Sequence, residues 1–357
     1  MSQNAPASRR VAPDALAGYV AALFEAAAVP AADARQVAEA LVAADQEGVS
    51  SHGVMLVPMY LARLRAGSIA AAGRIEVVSE RATTVVLDAG NTLGQISAAL
   101  AVALAAGRAA EYGMAAVSVR RAFHFGAASR WARRMAEAGC IGIAMSNTRP
   151  LMPAPGAAER LVGNNPLAIA MPGGSGGAPL VLDMATSASA MGKIRMAATT
   201  GRDIPADWAT DAEGRPTTDP AAAIKGMLLP AAGAKGFGLA LMVDLLCGAL
   251  SGGGLTREVQ PLYGDSSQPY NCAHFFLALH VPDFQPAESF SARVAEVAQQ
   301  VRQAARAPGV DRLYTPGERE WQLAQDNAAS LALPLPLIEE LERCAAECGR
   351  AAPLPLQ

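Results

Sequence analysis

Between Asp14 and Val42 the apolar residues fall on one helical stripe after another: Leu16, Val20, Leu23 and Phe24, then Val37, Leu41 and Val42. Spacings of three and four predict two amphipathic helices within 13–48. Pro13-Asp14 and the segment from Pro30 to Asp33 supply their starts. "VPMYLARLRAG" predicts a third helix ending at Gly67, with Arg63 and Arg65 in its last turn complementing the dipole. "RIEVVSERATTVVLDAG" alternates and is rich in β-branched residues, so it reads as two strands joined by a turn. Residues 95–147 then run helix, strand "MAAVSVR", loop "RAFHFGA", helix "ASRWARRMAEAG", strand "CIGIAMSN". The loop "TRPLMPAPGAAERLVGNNP" leads to strands "LAIAMP" and "PLVLDMAT", split by a Gly-rich turn at 173–177. "SASAMGKIRMAAT" reads as helix and 201–235 as irregular, with turn signals throughout. A helix from Lys235 to Gly253, the strand "HFFLALHV", the helix "SFSARVAEVAQQVRQAAR", the loop "TPGERE" and a helical end complete the chain. This is a mixed α/β order without an internal repeat.

Composition narrows the class. Hydrophobic residues make up 52% and charged residues 17% of 357, which supports a large core and argues against global disorder. A net charge of −3 without clustered Lys and Arg excludes a nucleic-acid footprint. The most apolar stretch, "GFGLALMVDLLCGALSGG", is interrupted by Asp244 and Gly248 and falls short of the ~20 residues of a membrane span. It reads as a buried helix. The N-terminus has two arginines but no apolar core of a secretory signal. Five cysteines, an odd number, fit reduced thiols in a cytoplasmic protein better than a disulfide framework. Cys344 and Cys348 lie four apart without a nearby Cys or His partner, and no metal site is expected.

The candidate chemistry begins at "SSHGVMLVPMY", which holds one of four histidines. A lone His before Gly is more often structural. Ser50, Ser51, His52 and Gly53, however, form a tight polar turn feeding a helix, whose N–H groups suit an anionic ligand or developing oxyanion. An imidazole there is a natural proton donor or acceptor. His124 follows a strand between two Phe and is equally readable as a core histidine or as a group at a ligand-binding strand end. His274 and His280, flanking "FFLAL", read as structural. Asp183 in "VLDMATS" is placed to orient a histidine, to hold a ribose hydroxyl, or to cap the next helix. Lys235-Gly236 stands at a glycine-rich helix entrance suited to a phosphate. Neither a G-x-G-x-x-G strand-to-helix turn nor a G-x-S-x-G elbow is present, so the usual dinucleotide fingerprint and one common hydrolase arrangement are missing.

Taken together, nine segments in order resemble the malate/L-lactate dehydrogenase family that lacks a Rossmann fold: "SHGV..VP.Y" at 51–60, "RLRAG" at 63–67, "FHFGAA" at 123–128, "GIAMSNTRP" at 142–150, "GNNPLAIAMP" at 163–172, "LDMATS" at 182–187, "GRPTTDP" at 214–220, "KGFGLALMVDLL" at 235–246 and "PGERE" at 316–320. The resemblance implies an NAD- or NADP-dependent oxidoreductase with a mixed, largely antiparallel sheet flanked by helices. It implies interleaved lobes, a helical one at 1–75 plus 285–357 and an α/β one at 76–284, and a homodimer. It implies that His52 is the acid/base with Ser51 beside it, and that His124 matches a second histidine used as proton acceptor in some members. Asp183 joins them as a candidate catalytic group. Thr148, Asp183, Met184, Ala185, Thr186, Lys235, Gly236 and the Pro316–Gly317–Glu318 turn match cofactor-contacting segments, and Tyr60 falls on the substrate side.

One position departs from the pattern. Many members carry an arginine four residues after the motif histidine, placed for a substrate carboxylate; here it is Leu56. A leucine makes no bidentate pair, and Arg149 in "SNTRPLMP" is the candidate replacement. The leading expectation is a 2-hydroxy-acid or 2-oxo-acid oxidoreductase. Beside it stand a reductase of cyclic imino acids, a metal-free hydrolase or lyase built on His52 and His124, and a ligand-binding protein without turnover.

Overall fold

The computed structural model describes residues 7–173, 178–350 and 353–357. The chain opens with β1 (Ser8–Val11) and helices α1 (Pro13–Ala26), α2 (Ala31–Gln46) and α3 (Val57–Arg65). Two single 3-10 turns, Ser50–His52 and Val54–Leu56, separate α2 from α3. The hairpin β2 (Glu76–Arg81) and β3 (Thr84–Asp88) leads to α4 (Gly94–Tyr112), β4 (Met114–Ala122), α5 (Ala128–Glu137), β5 (Cys140–Ser146), β6 (Leu167–Met171) and β7 (Leu180–Met184). Next come α6 (Met191–Thr200), β8 (Ala209–Thr210), α7 (Pro220–Lys225), β9 (Met227–Leu228) and α8 (Ala234–Asp244), which a π turn, Leu245–Ala249, continues. The chain closes with β10 (Cys272–His280), α9 (Ala287–Gln303), α10 (Glu318–Asp326), β11 (Leu331–Pro334) and α11 (Leu335–Glu347).

The main sheet has seven strands in the order β2-β3-β4-β10-β5-β6-β7. Only β3 and β4 pair in parallel; the other five pairs are antiparallel, as expected. β4 and β5 are therefore not neighbours. β10 enters between them, with Phe276 opposite Val117 on one side and Ala144 on the other.

The period of two decides which helix meets which face. On β10, Cys272, Phe276 and Ala278 join the main core with Val117, Val119 and the α4 and α5 side chains, while Ala273 and Phe275 join a smaller cluster with Val243 of α8 and Cys247 of its π turn. β5 follows the same rule: a Cβ at Gly142 would meet the Ala132 carbonyl of α5 at 2.3 Å. Small residues on this face let α5 lie close to the sheet. The main core also takes Leu16, Val20, Phe24, Val37 and Leu41 from α1 and α2, so the helices at the chain's start share one core with the sheet.

Four local expectations need correction. β1 and β11 form a two-stranded pair, Arg9 opposite Leu333, that short edge segments did not advertise. The stretch 201–235 is not wholly irregular; Asp219 accepts from the Ala221 N–H at 2.8 Å and caps α7, with Pro220 in its first turn. "TPGERE" is not a loop throughout, because Glu318 begins α10 after Gly317 in the left-handed conformation, φ +78°. Most of the expected Gly-rich turn, 174–177, lies outside the described residues. Among the described residues, no helix is long and apolar enough to cross a membrane. The α8 segment, however, is not the buried helix its composition suggests. Met242, Leu245 and Leu250 are 50%, 41% and 58% exposed, with Leu239 and Leu246 beside them. One side packs on the sheet; the other has no partner among the described residues.

Candidate active site

His52 ends the first 3-10 turn after α2. The turn is held from below by Asp45, which is buried and accepts the Val54 N–H at 2.7 Å. The fit is tight: a Cβ at Gly53 would lie 2.3 Å from the Asp45 carboxylate, so no larger residue occupies that place. Burial pushes the Asp45 pKa up to about 6, against the bonds from Val54 and Ser50.

The turn brings His52 to His124. The two rings stack with centroids 5.4 Å apart and planes 29° from parallel. Ser51 Oγ lies 2.9 Å from His52 Nδ1, and among the described residues His52 Nε2 makes no hydrogen bond. His124 Nδ1 lies 2.7 Å from the Tyr60 hydroxyl, and Gln95 donates to the same hydroxyl at 3.2 Å. Tyr60 was expected on the substrate side. It has no exposed surface, and its hydroxyl is committed to His124. Burial lowers the pKa of both histidines, and at His124 the neighbouring His52 and His274 lower it further. Two stacked imidazoles in this setting resist carrying two protons.

The loop bearing His124 is braced on three sides. The N-terminus of α4 presses on it: a Cβ at Gly94 would meet the Phe123 carbonyl at 2.1 Å. His274 is a buried core side chain, as read from sequence, and stacks on Phe125 at 4.4 Å. Asp183 accepts the Ser129 N–H at 2.7 Å and so caps α5, directly after that loop. This corrects two roles considered for Asp183: it neither caps the next helix nor contacts a histidine in this chain. Desolvation of the carboxylate raises its pKa, and the charge of Glu320 adds to this, with the Ser129 bonds opposing.

The remaining candidate segments converge by backbone hydrogen bonds. Thr148 is wrapped by "GNNP": its N–H donates to Asn165 Oδ1 at 2.8 Å, and a Cβ at Gly163 would lie 2.2 Å from Thr148 Oγ1. Asn164 accepts from the Thr186 N–H at 3.1 Å, and the Thr186 carbonyl accepts from Ala231 at 2.9 Å, just before the turn into α8. That turn requires glycine at 236, where a Cβ would meet the Ala231 carbonyl at 2.1 Å. Lys235 stands exposed at the helix entrance. On the far side, the Pro316 carbonyl accepts from the Val181 N–H at 3.1 Å, bringing the Pro316–Gly317–Glu318 turn to β7. The Glu318 carboxylate is not free for a ligand. It takes bonds from Thr315, Arg302 and Arg312, which hold its pKa down to about 2 although burial pushes the other way.

The segment following Met184 and Ala185 has spare hydrogen-bonding capacity. Among the described residues, Thr186 Oγ1 and Ser189 Oγ are buried without a partner, and buried hydroxyls left unpaired are costly enough to point to a ligand or water. These unpaired hydroxyls, the exposed Lys235 and the close-packed glycines suit a polar, phosphate-bearing cofactor.

Leu56 lies in the core, 1% exposed. Arg149 is half-buried and, among the described residues, makes no ion pair or hydrogen bond. Burial and the charges of Arg160 and Arg195 lower its pKa, with Tyr270 opposing. Tyr270 packs edge-on against Phe123, next to His124, at 5.7 Å. Sequence reading missed Gln95, Asp45 and the Asn147 anchor, which donates to Asp244 at 2.8 Å and accepts from the Ala273 N–H at 2.7 Å. Asn147 and Asp244 stand in the matched segments "GIAMSNTRP" and "KGFGLALMVDLL", which were the visible signal of that anchor.

Residues 11–342 match the Malate/L-lactate dehydrogenase family. The chain belongs to that family. It is 34% identical to a malate dehydrogenase of Pyrococcus abyssi, over 95% of each chain. It is 38% identical to a (2R)-3-sulfolactate dehydrogenase (NADP(+)) of Chromohalobacter salexigens, over 90% of this chain and 93% of that one. The solved sulfolactate dehydrogenase of Methanocaldococcus jannaschii superposes with a TM-score of 0.90 at 32% identity, covering 96% and 98% of the two chains. The protein is thus a dehydrogenase/reductase acting on the CH–OH group. Its mixed sheet, rather than a Rossmann sheet, accounts for the missing glycine fingerprint.

Proposed function

We propose that the protein interconverts a small 2-hydroxy acid and its 2-oxo acid with NAD or NADP, and that His52 moves the proton. The stacked His52–His124 pair beside the converged loops carries this reading. The nicotinamide, when bound, supplies or accepts the hydride. His52 gives a proton to the developing alkoxide in reduction and takes it back in oxidation. Its Nε2 is the available atom, because Ser51 holds Nδ1. Thr148, Thr186, Lys235 and the 316–318 turn are the groups proposed to hold the cofactor. The unpaired hydroxyls at 186 and 189 support that role, and the relative named with NADP(+) supports the cofactor class.

Arg149 is proposed to hold the substrate carboxylate in place of the arginine that Leu56 displaced. A charge-assisted bidentate pair is worth about 1.5–3 kcal/mol. Arg149→Ala should therefore raise KM for substrate roughly 10- to 100-fold with a smaller change in kcat, while Arg81→Ala on the exposed β2 edge leaves both unchanged. Equal kinetics for the two variants would remove Arg149 from the site. The exposed apolar side of α8 is proposed as the contact between two copies of the chain.

The reaction class is tested by following nicotinamide absorbance while presenting 2-oxo acids and cyclic imino acids in turn. Oxidation of the reduced cofactor by a 2-oxo acid is the expected outcome. Turnover of cyclic imines alone would reassign the substrate, and hydrolysis without any nicotinamide change would reject the reading.

A further inference from the structure

We infer that Tyr60 and Gln95 lock His124 in the tautomer that carries its proton on Nε2, so that His124 serves as a fixed hydrogen-bond donor to the substrate's reacting oxygen while His52 alone changes protonation. The inference rests on the proposed reaction, but its first test does not.

The direction of one short hydrogen bond carries it. Tyr60 Oη lies 2.7 Å from His124 Nδ1 and 3.3 Å from the His124 carbonyl. Gln95 Nε2 donates to the same oxygen at 3.2 Å. With Gln95 as donor, the phenolic O–H is directed outward, and the shorter contact is Nδ1. A nitrogen that accepts a hydrogen bond carries no proton, so the neutral ring must hold its proton on Nε2. Two arrangements oppose it. In one, Tyr60 accepts from Gln95 and from Nδ1–H together and turns its O–H to the His124 carbonyl, but that contact is long, 3.3 Å, whereas 2.7 Å at Nδ1 is the length of an O–H donor rather than an N–H donor. In the other, the Gln95 amide turns over, so that its oxygen accepts from Tyr60 and Tyr60 accepts from Nδ1–H. That exchange leaves both amide hydrogens of a fully buried side chain without a partner. The arrangement present leaves Oε1 and one hydrogen unpaired, the same number of groups. The 2.7 Å length at Nδ1, that of an O–H donor rather than an N–H donor, favours the first arrangement.

The surroundings keep the lock rigid. Gln95 and Tyr60 have no exposed surface. Gln36 donates to the Gln95 carbonyl at 2.9 Å, fixing the start of α4. Phe123 packs edge-on against the Tyr60 ring at 5.0 Å. Nothing among the described residues hydrogen-bonds His124 Nε2. Burial of Tyr60 raises its pKa, and burial of His124 lowers that imidazole's pKa, so neither side favours passing the proton along. A proton taken from Nε2 would leave imidazolate or pull the phenolic proton across, both unfavourable in a desolvated site. His124 thus polarises a C=O without becoming the base. His52, whose Nδ1 meets a serine able to donate or accept, is free to cycle. Tyr60 and Gln95 are positioning residues.

The test is a long-range proton–nitrogen NMR correlation on protein labelled with 15N-histidine. Four histidines make the spectrum assignable, with His124→Gln identifying its own signals. The expected wild-type pattern for His124 is a protonated Nε2 and a bare, hydrogen-bonded Nδ1. Tyr60→Phe should release the lock and give a mixture of tautomers, and kcat should fall roughly 10- to 100-fold as the donor loses its aim, with cofactor binding unchanged. Gln95→Met should move the spectrum in the same direction. Wild-type His124 protonated on Nδ1, or an unaltered pattern in Tyr60→Phe, overturns the inference. The two readings fail separately: a reversed tautomer with an inactive His52→Ala rejects the lock alone, whereas the expected tautomer with an active His52→Ala rejects the proposed role of His52.

Discussion

Replacing His52 with alanine should lower kcat by roughly 10²–10⁴ and leave nicotinamide binding unchanged, since a positioned acid/base contributes about that factor. The loss should concentrate in kcat, because the proton moves only as the reaction proceeds. Folding should survive. His52 is half-buried on a 3-10 turn, and the turn's own support comes from Asp45 and Gly53 rather than from the imidazole. The melting temperature of His52→Ala should therefore stay within a few degrees of wild type. If kcat holds within severalfold, the stacked partner His124 carries the proton and the two assignments exchange.

Gly94→Ala should be the more disruptive change although it lies outside the proton path. The added Cβ would sit 2.1 Å from the Phe123 carbonyl and 2.5 Å from the His124 carbonyl. Both obstacles are backbone, so no rotamer relieves them. Overpacking of this kind costs about 1–3 kcal/mol, and the loop bearing His124 must move away from α4. A shift approaching 1 Å at a reacting group can cost on the order of 10²-fold in rate. Both stability and kcat should fall. Gly107→Ala, on the same helix with nothing within 4 Å of the new Cβ, is the matched control; it should be neutral or slightly stabilising because alanine is the better helix former. Thermal melts and steady-state kinetics on the pair separate the close approach from a general intolerance of change in α4.

Much of this architecture was legible in the chain. The stripes Leu16-Val20-Leu23 and Val37-Leu41 and the alternation in "CIGIAMSN" mark elements whose side-chain period matches their burial. What stayed hidden was long-range. No local pattern says that β10 inserts between β4 and β5, because strand order depends on contacts well over a hundred residues apart. The β1–β11 pair is hidden for the same reason. α8 misled because its composition is apolar all round, and apolarity alone does not say how much of a helix the rest of the chain covers.

The site divides along similar lines. His52 and His124 were visible as a turn and a loop, but their stacking was not. Tyr60 illustrates the limit. Its place in the motif suggested substrate contact, whereas its distance to Nδ1 makes it a support for His124. Gln95 carried no signal at all, since a buried glutamine at a helix start looks like any other. Glu318 read as a ligand group by residue type, yet its carboxylate is spent on Thr315, Arg302 and Arg312, whereas Asp183 commits Oδ2 to Ser129 and keeps an exposed carboxylate. Residue type suggests a chemistry, and hydrogen-bond partners decide whether the group remains available for it.

The central claim is a nicotinamide site beside the His52–His124 pair, and titrating the purified protein with NADH and, separately, NADPH while recording nicotinamide fluorescence tests it most directly. A saturable change with at least one of the two is the expected result; a flat response to both would contradict it.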